Sequence, residues 1–243
     1  SAALAVVGLW RGAEAPEAAV AAAAPSPSPP APPRPVAPEP SRQPAAGFGI
    51  PFLEPAQAGG LAYREGDYGR AEALYREAVE RNPQDAESLG NLGQVLVRTS
   101  RVAEAIPLFE RAVRLAPQRW AHRFNLARAY GLSGRWDLAV ASYREAERLF
   151  PNDYATLFNL GLALQKIGDH EAAVEALRKA IAIDGNDPTF HLSLAVSYEA
   201  LGRRAEAVTA YRRVLELAPR AVEAPAIRAR IERLERAGSA PPA

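Results

Sequence analysis

A period of 34 residues constrains this chain more than any other feature. Pro83, Pro117, Pro151 and Pro219 share one phase, and Gly185 takes the remaining slot. Small residues recur in step at Gly59, Gly93, Ala127, Gly161 and Ala195. Ala71, Ala105, Ala139, Ala173 and Ala207 form a second row, and Ala78, Ala112, Ala146 and Ala180 a third that Val214 breaks. Bulky side chains fill a column at Tyr75, Phe109, Tyr143, Leu177 and Tyr211, and Leu92, Leu126, Leu160 and Leu194 another. Gly66, Ser100, Gly134, Gly168 and Gly202 mark mid-repeat turns. Such a period marks an array in which each unit buries its apolar face only against its neighbours.

Each column has a physical cause. A mid-repeat glycine adopts positive φ and ends a first helix. The small columns let two helices approach, and the bulky column fills the gap between them. The phased proline closes the repeat, because it cannot continue a helix. Pro107 is expected in the first turn of its helix or just past it, where a missing donor costs little.

The pattern resembles the tetratricopeptide repeat (TPR) family, matched in six columns over residues 52–221. The resemblance implies an all-α fold: an α-solenoid of about five helix-turn-helix repeats. It also implies a right-handed superhelix, with the first helix of each repeat lining the concave face. The first repeat departs from the pattern, because Pro55 and Ala58 stand where bulky residues are usual. Its first helix is expected to be short. Residues 222–243 read as a capping helix and tail. Ala226, Ile227, Ile231 and Leu234 supply an apolar stripe within Val222–Arg236, and Gly238 to Ala243 should fray.

The chain before the repeats has another character. Of its 22 prolines, 13 lie from Pro16 to Pro55. Residues 13–51 read as a Pro/Ala-rich extended linker. Pro25 to Pro44 is half proline, which excludes helix and favours polyproline II. Twenty such residues span ~60 Å, so the segment is a semi-rigid spacer. Phe48, Ile50, Phe52 and Leu53 form an apolar patch expected to pack on the first repeat. Residues 2–10 are wholly apolar. As a short N-terminal helix they would reach only ~14 Å, too little to cross a bilayer. Residues 1–12 therefore read as the end of a truncated membrane anchor, with Trp10 and Arg11 at the interface. A signal-peptide remnant and a free apolar tail are the alternatives. Methionine is absent, so the chain reads as a processed or truncated piece.

Composition narrows the function. Lys+Arg 29 against Asp+Glu 28 gives a net charge of +1, without the basic excess of a nucleic-acid binder. With no cysteine there is no disulfide, thiolate metal site or cysteine nucleophile. His122, His170 and His191 fall in different repeats, so no metal site is expected. Glu72, Glu77, Glu80 and Arg76 have the spacing of helix-surface pairing, not acid/base chemistry. No catalytic constellation stands out. The chain reads as a non-enzyme without cofactor or small-molecule substrate.

The TPR resemblance supplies candidate binding residues. Asn91, Asn125 and Asn159 recur at the repeat period on the implied concave face, with Ser193 in phase. In that family such a ladder grips the backbone of an extended peptide, because an amide both donates and accepts. The preceding residues, Gly90, Phe124, Phe158 and Leu192, would form an apolar strip beside it. Arg64, Arg98, Arg128 and Lys166 outweigh Glu87 and Glu199, so the implied groove suits a peptide with acidic groups. A family clamp for C-terminal carboxylates is excluded. Only Asn91 fits it, and Ala56, Gly60, Ala121 and Asn125 occupy its other positions.

Anchor, spacer and repeats, in that order, resemble bacterial membrane-anchored or periplasmic TPR proteins. The resemblance implies a protein–protein interaction scaffold, tethered to a membrane, that docks a protein or peptide while an envelope or membrane complex assembles. The alternative is a constitutive accessory subunit of a large membrane complex, with the linker ordered along its partners. The implied location is the bacterial cell envelope, inner-membrane anchored with a periplasmic TPR domain. A cytoplasmic location is the alternative.

Overall fold

The computed structural model describes residues 53–239. The anchor, the linker and the Phe48–Phe52 part of the apolar patch lie outside the described residues. Leu53 itself is exposed. Among the described residues there are eleven helices and no strand. They form five hairpins: α1 (Pro55–Glu65) with α2 (Tyr68–Arg81), α3 (Ala86–Arg98) with α4 (Val102–Leu115), α5 (Trp120–Leu132) with α6 (Trp136–Leu149), α7 (Tyr154–Lys166) with α8 (His170–Ile183), and α9 (Pro188–Ala200) with α10 (Arg204–Leu217). A single helix, α11 (Ala224–Ser239), closes the array. Each first helix packs on its own partner and, from α3 onward, on the second helix of the repeat before. The sequence period is therefore the spatial period. None of these helices is long and apolar enough to cross a membrane.

Local chemistry sets the helix boundaries. The Asp67, Asp85, Asp153, Asp169 and Asp187 carboxylates accept backbone N–H bonds in the first turns of α2, α3, α7, α8 and α9. Gly66, Gly134, Gly168 and Gly202 take positive φ at the mid-repeat turns, and Ser100 does so at φ 63°. Helix α1 has 11 residues against 13 in α3, α5, α7 and α9, as its weak pattern predicts.

The core explains the small and bulky columns together. A Cβ on Gly93 would lie 2.7 Å from the Phe109 ring, and one on Gly161 2.7 Å from Leu177. Phe109, Tyr143, Leu177 and Tyr211 are fully buried. Burial pushes the Tyr143 hydroxyl well above its ordinary pKa, against a smaller pull from Arg128.

Four details depart from expectation. Pro107 is the sixth residue of α4, and the helix runs on past it. Its missing amide forfeits one helical bond, yet the residue is exposed and water can serve the freed carbonyl. The buried stripe of α11 begins at Ala224, with Ile227, Ile231 and Leu234, while Ala226 faces outward. Only the former set keeps the three-and-four spacing of one helix face. Helix α11 also continues to Ser239, past the point where fraying was expected. Its attachment uses Glu199 of α9. That carboxylate takes bonds from Arg230 Nε at 2.7 Å and the Tyr211 hydroxyl at 3.0 Å. Glu199 thus holds the cap instead of offsetting charge in the groove.

Candidate functional site

Between α3 and α5 lies a cavity of about 320 Å³, lined mainly by polar side chains. Gly90 makes room for it. The three equivalent positions in later repeats are Phe124, Phe158 and Leu192. Here the missing side chain admits the His122 ring, whose Nδ1 would lie 3.0 Å from a Cβ at residue 90. His122 is only 3% exposed, and its Nε2 has no hydrogen-bond partner. Glu87 Oε1 is 3.8 Å from it. Burial lowers the His122 pKa, Glu87 opposes the shift, and Arg119 adds to it. The imidazole is therefore neutral near pH 7. Glu87 is already engaged across the cavity, accepting from Arg119 Nε at 2.7 Å.

Asn91 and Asn125 both line this cavity. Each is half-buried, and neither amide bonds any other described residue. Gln94 and Trp120 complete the walls. Asn159 differs: it is 3% exposed, and its Nδ2 donates to the Ala155 carbonyl of its own helix at 2.8 Å. The structure thus brings together two of the three ladder residues.

The apolar strip divides in the same way. Phe124 is half-buried, edge-on to Trp120 at 6.2 Å and to Tyr143 at 5.7 Å. Phe158 is 6% exposed and packs at 4.6 Å on Phe190, inside the core.

The four cations scatter. Arg64 is exposed and unpaired among the described residues. Arg98 lies 5.5 Å over the Tyr68 ring and donates to its hydroxyl at 3.0 Å. Lys166 sits one pair of repeats further on in the same relation, 5.7 Å over Trp136. Both therefore rest on the first turn of the preceding repeat's second helix. Arg128 is half-buried without ion pair or hydrogen bond among the described residues. Burial raises the Tyr63 pKa, and Arg98 and Arg128 both pull it down. The two guanidiniums therefore both lie near the Tyr63 hydroxyl.

Sequence reasoning missed His122, Gln94, Arg119 and Trp120 as parts of the site. The available signal was Gly90, a helical glycine where the later repeats carry large apolar residues. Among the described residues no group of three histidines or carboxylates could hold a metal ion.

Comparison with known proteins agrees with this architecture. One tetratricopeptide repeat family model matches residues 57–119 and 124–188, and a second matches 164–231. Among solved structures, the chain is similar to MamA (AMB-1) at 26% identity and a TM-score of 0.65, over 70% of this chain and 100% of that one. It is similar to TTC0263, a thermophilic TPR protein of Thermus thermophilus, at 26% identity and a TM-score of 0.52, over 74% and 97% of the two chains. YrrB, a TPR protein with an unusual peptide-binding site, shares the fold at 20% identity and a TM-score of 0.66, over 72% and 90%. A search of curated proteins finds no match. Period, hairpin geometry and family match coincide, and this chain belongs to the tetratricopeptide repeat family.

Proposed function

We propose that this chain is a protein–protein interaction scaffold whose concave face grips an extended peptide between repeats 2 and 3. Family membership supports the scaffold, and the site supports the peptide. The observation that carries it is the pair Asn91 and Asn125, two unengaged amides one repeat apart in one cavity. Neighbouring helices pack at ~8–10 Å. An extended chain covers that distance in about three residues. The two amides can therefore hold backbone groups three residues apart, each donating and accepting. Trp120 and Phe124 offer apolar contact beside them. Arg128, with no ion pair, favours an acidic residue in the peptide, while Glu87 is balanced by Arg119. YrrB, with its peptide-binding site, gives this use of the fold a precedent.

The same reading includes the N-terminal region. The apolar residues 2–10 tether the scaffold to a membrane, and the Pro/Ala-rich linker holds the repeats away from it. Its work is then the assembly of an envelope complex, with the repeats in the periplasm. To test the site, peptides are selected by phage display on the full chain. Their affinity is then measured for the parent and for the Asn91→Ala, Asn125→Ala double variant. Each lost amide contact is worth ~1–1.5 kcal/mol, so affinity should fall ~30–150-fold. Equal affinity for both chains would refute the site. Fractionation of native cells tests the tether: recovery of the chain without membranes would refute it.

A further inference from the structure

Beside the cavity lies an aromatic lip that the repeat plan does not require. Trp120 opens α5, and Phe150, just past α6, stacks on it at 5.2 Å with planes 23° apart. Tyr154 opens α7 one repeat further on. Phe150 and Tyr154 are each 44% exposed. The repeat positions of Trp120 and Tyr154 hold Phe52, Ala86 and Pro188 elsewhere, and that of Phe150 holds Asn82, Ala116, Asp184 and Ala218. Trp120 meets Phe124 edge-on at 6.2 Å and Tyr154 lies 5.9 Å from Phe190, so each ring is partly held by the fold and partly exposed. The Trp120 indole N–H, a donor only, bonds no other described residue. Aromatic rings with a free indole donor suit polyproline, whose flat rings stack on them and whose carbonyls accept.

This chain carries such a ligand. Pro29, Pro32, Pro35 and Pro38 recur every third residue, and Pro27, Pro30 and Pro33 form a second such row. Polyproline II has three residues per turn and rises ~3.1 Å per residue, so in that conformation each row would form one continuous face with a ~9 Å repeat. That matches the ~8–10 Å between neighbouring helices, and hence the step from Trp120 to Tyr154. Reach is sufficient. Nine residue steps from Pro44 to Leu53 span ~30 Å, against ~25 Å along the array from α1 to the lip. We propose that the proline rows of residues 27–38 dock in cis on the lip formed by Trp120, Phe150 and Tyr154. The lip itself stands independently of the peptide reading at Asn91 and Asn125.

The test uses the full chain and the indole N–H resonance of Trp120, assigned by Trp120→Phe. The comparison chain has serine at all seven row prolines. The Trp120 resonance should move between the two chains. A synthetic peptide of residues 25–44 should bind the serine chain at least about tenfold tighter than the parent, where the tethered segment competes. Adding Phe150→Ser and Tyr154→Ser to the serine chain, both at exposed sites, should abolish that binding. An unmoved Trp120 resonance, or peptide binding that survives loss of both rings, overturns the proposal. If the parent spectrum converts to that of the serine chain on about hundredfold dilution, the segment comes from a second copy, which overturns docking in cis.

Discussion

Repeats 2–3 and repeats 4–5 follow one plan and end with opposite surfaces. In the first pair Asn91 and Asn125 stand half-buried with unengaged amides around a polar cavity. In the second pair the equivalent groups are spent inside the protein. Asn159 bonds Ala155, the Ser193 hydroxyl bonds the Thr189 carbonyl at 2.9 Å, and Gln165 reaches the Ser193 carbonyl at 2.7 Å. Between repeats 2 and 4 the preceding residue sets the difference. Gly90 leaves a void that His122 only partly fills, whereas Phe158 packs on Phe190 and closes the face. A repeat position dictates where a side chain starts. Its neighbours decide whether it faces a ligand or the core.

The largest test of this contrast is thermodynamic. Phe124→Ala and Phe158→Ala remove the same residue from the same repeat position. Phe158→Ala should cost ~3–5 kcal/mol in urea unfolding, as a buried aromatic does. Phe124→Ala should cost about half as much, since the ring is partly exposed and water can enter the space it leaves. Similar losses would erase the distinction between the halves.

Next comes the cavity itself. Gly90→Leu should fill the void, displace the His122 ring and give repeat 2 the closed face of repeat 4. Selected peptides should then lose at least about tenfold in affinity while the helical circular dichroism spectrum stays intact. Unchanged affinity would show that the void is not the site.

The smallest expected effect is on pH dependence. The His122 pKa is lowered in the folded state, so the unfolded chain binds its proton first. Its contribution to stability is complete above the ordinary histidine range near pH 6.5 and declines as pH falls through it. Melting temperatures from pH 7.5 to 5.5 should fall more for the parent than for His122→Gln. Equal slopes would place the imidazole in an unperturbed setting.

The fold was legible because the 34-residue period writes the hairpin directly: Gly93 and Gly161 are small where Phe109 and Leu177 must fit. The capping helix was legible too, though Ala224 replaced Ala226 in its stripe. The site was legible only in part. Periodicity aligned three asparagines, but it carries no information on cross-repeat packing. The Phe158–Phe190 contact that buries the face around Asn159 falls at the same repeat positions as Gly90 and His122, where other residue types leave a void. Arg98 and Lys166 likewise rest on Tyr68 and Trp136 of the preceding repeat, at one shared spacing that only the aromatic residue types turn into a contact.

The most direct measurement is the affinity of one selected peptide for three full-length chains: the parent, Asn91→Ala with Asn125→Ala, and Asn159→Ala. The open-groove account predicts a ~30–150-fold loss for the double variant and no change for Asn159→Ala. A peptide that tolerates the double variant, or that needs Asn159, would contradict it.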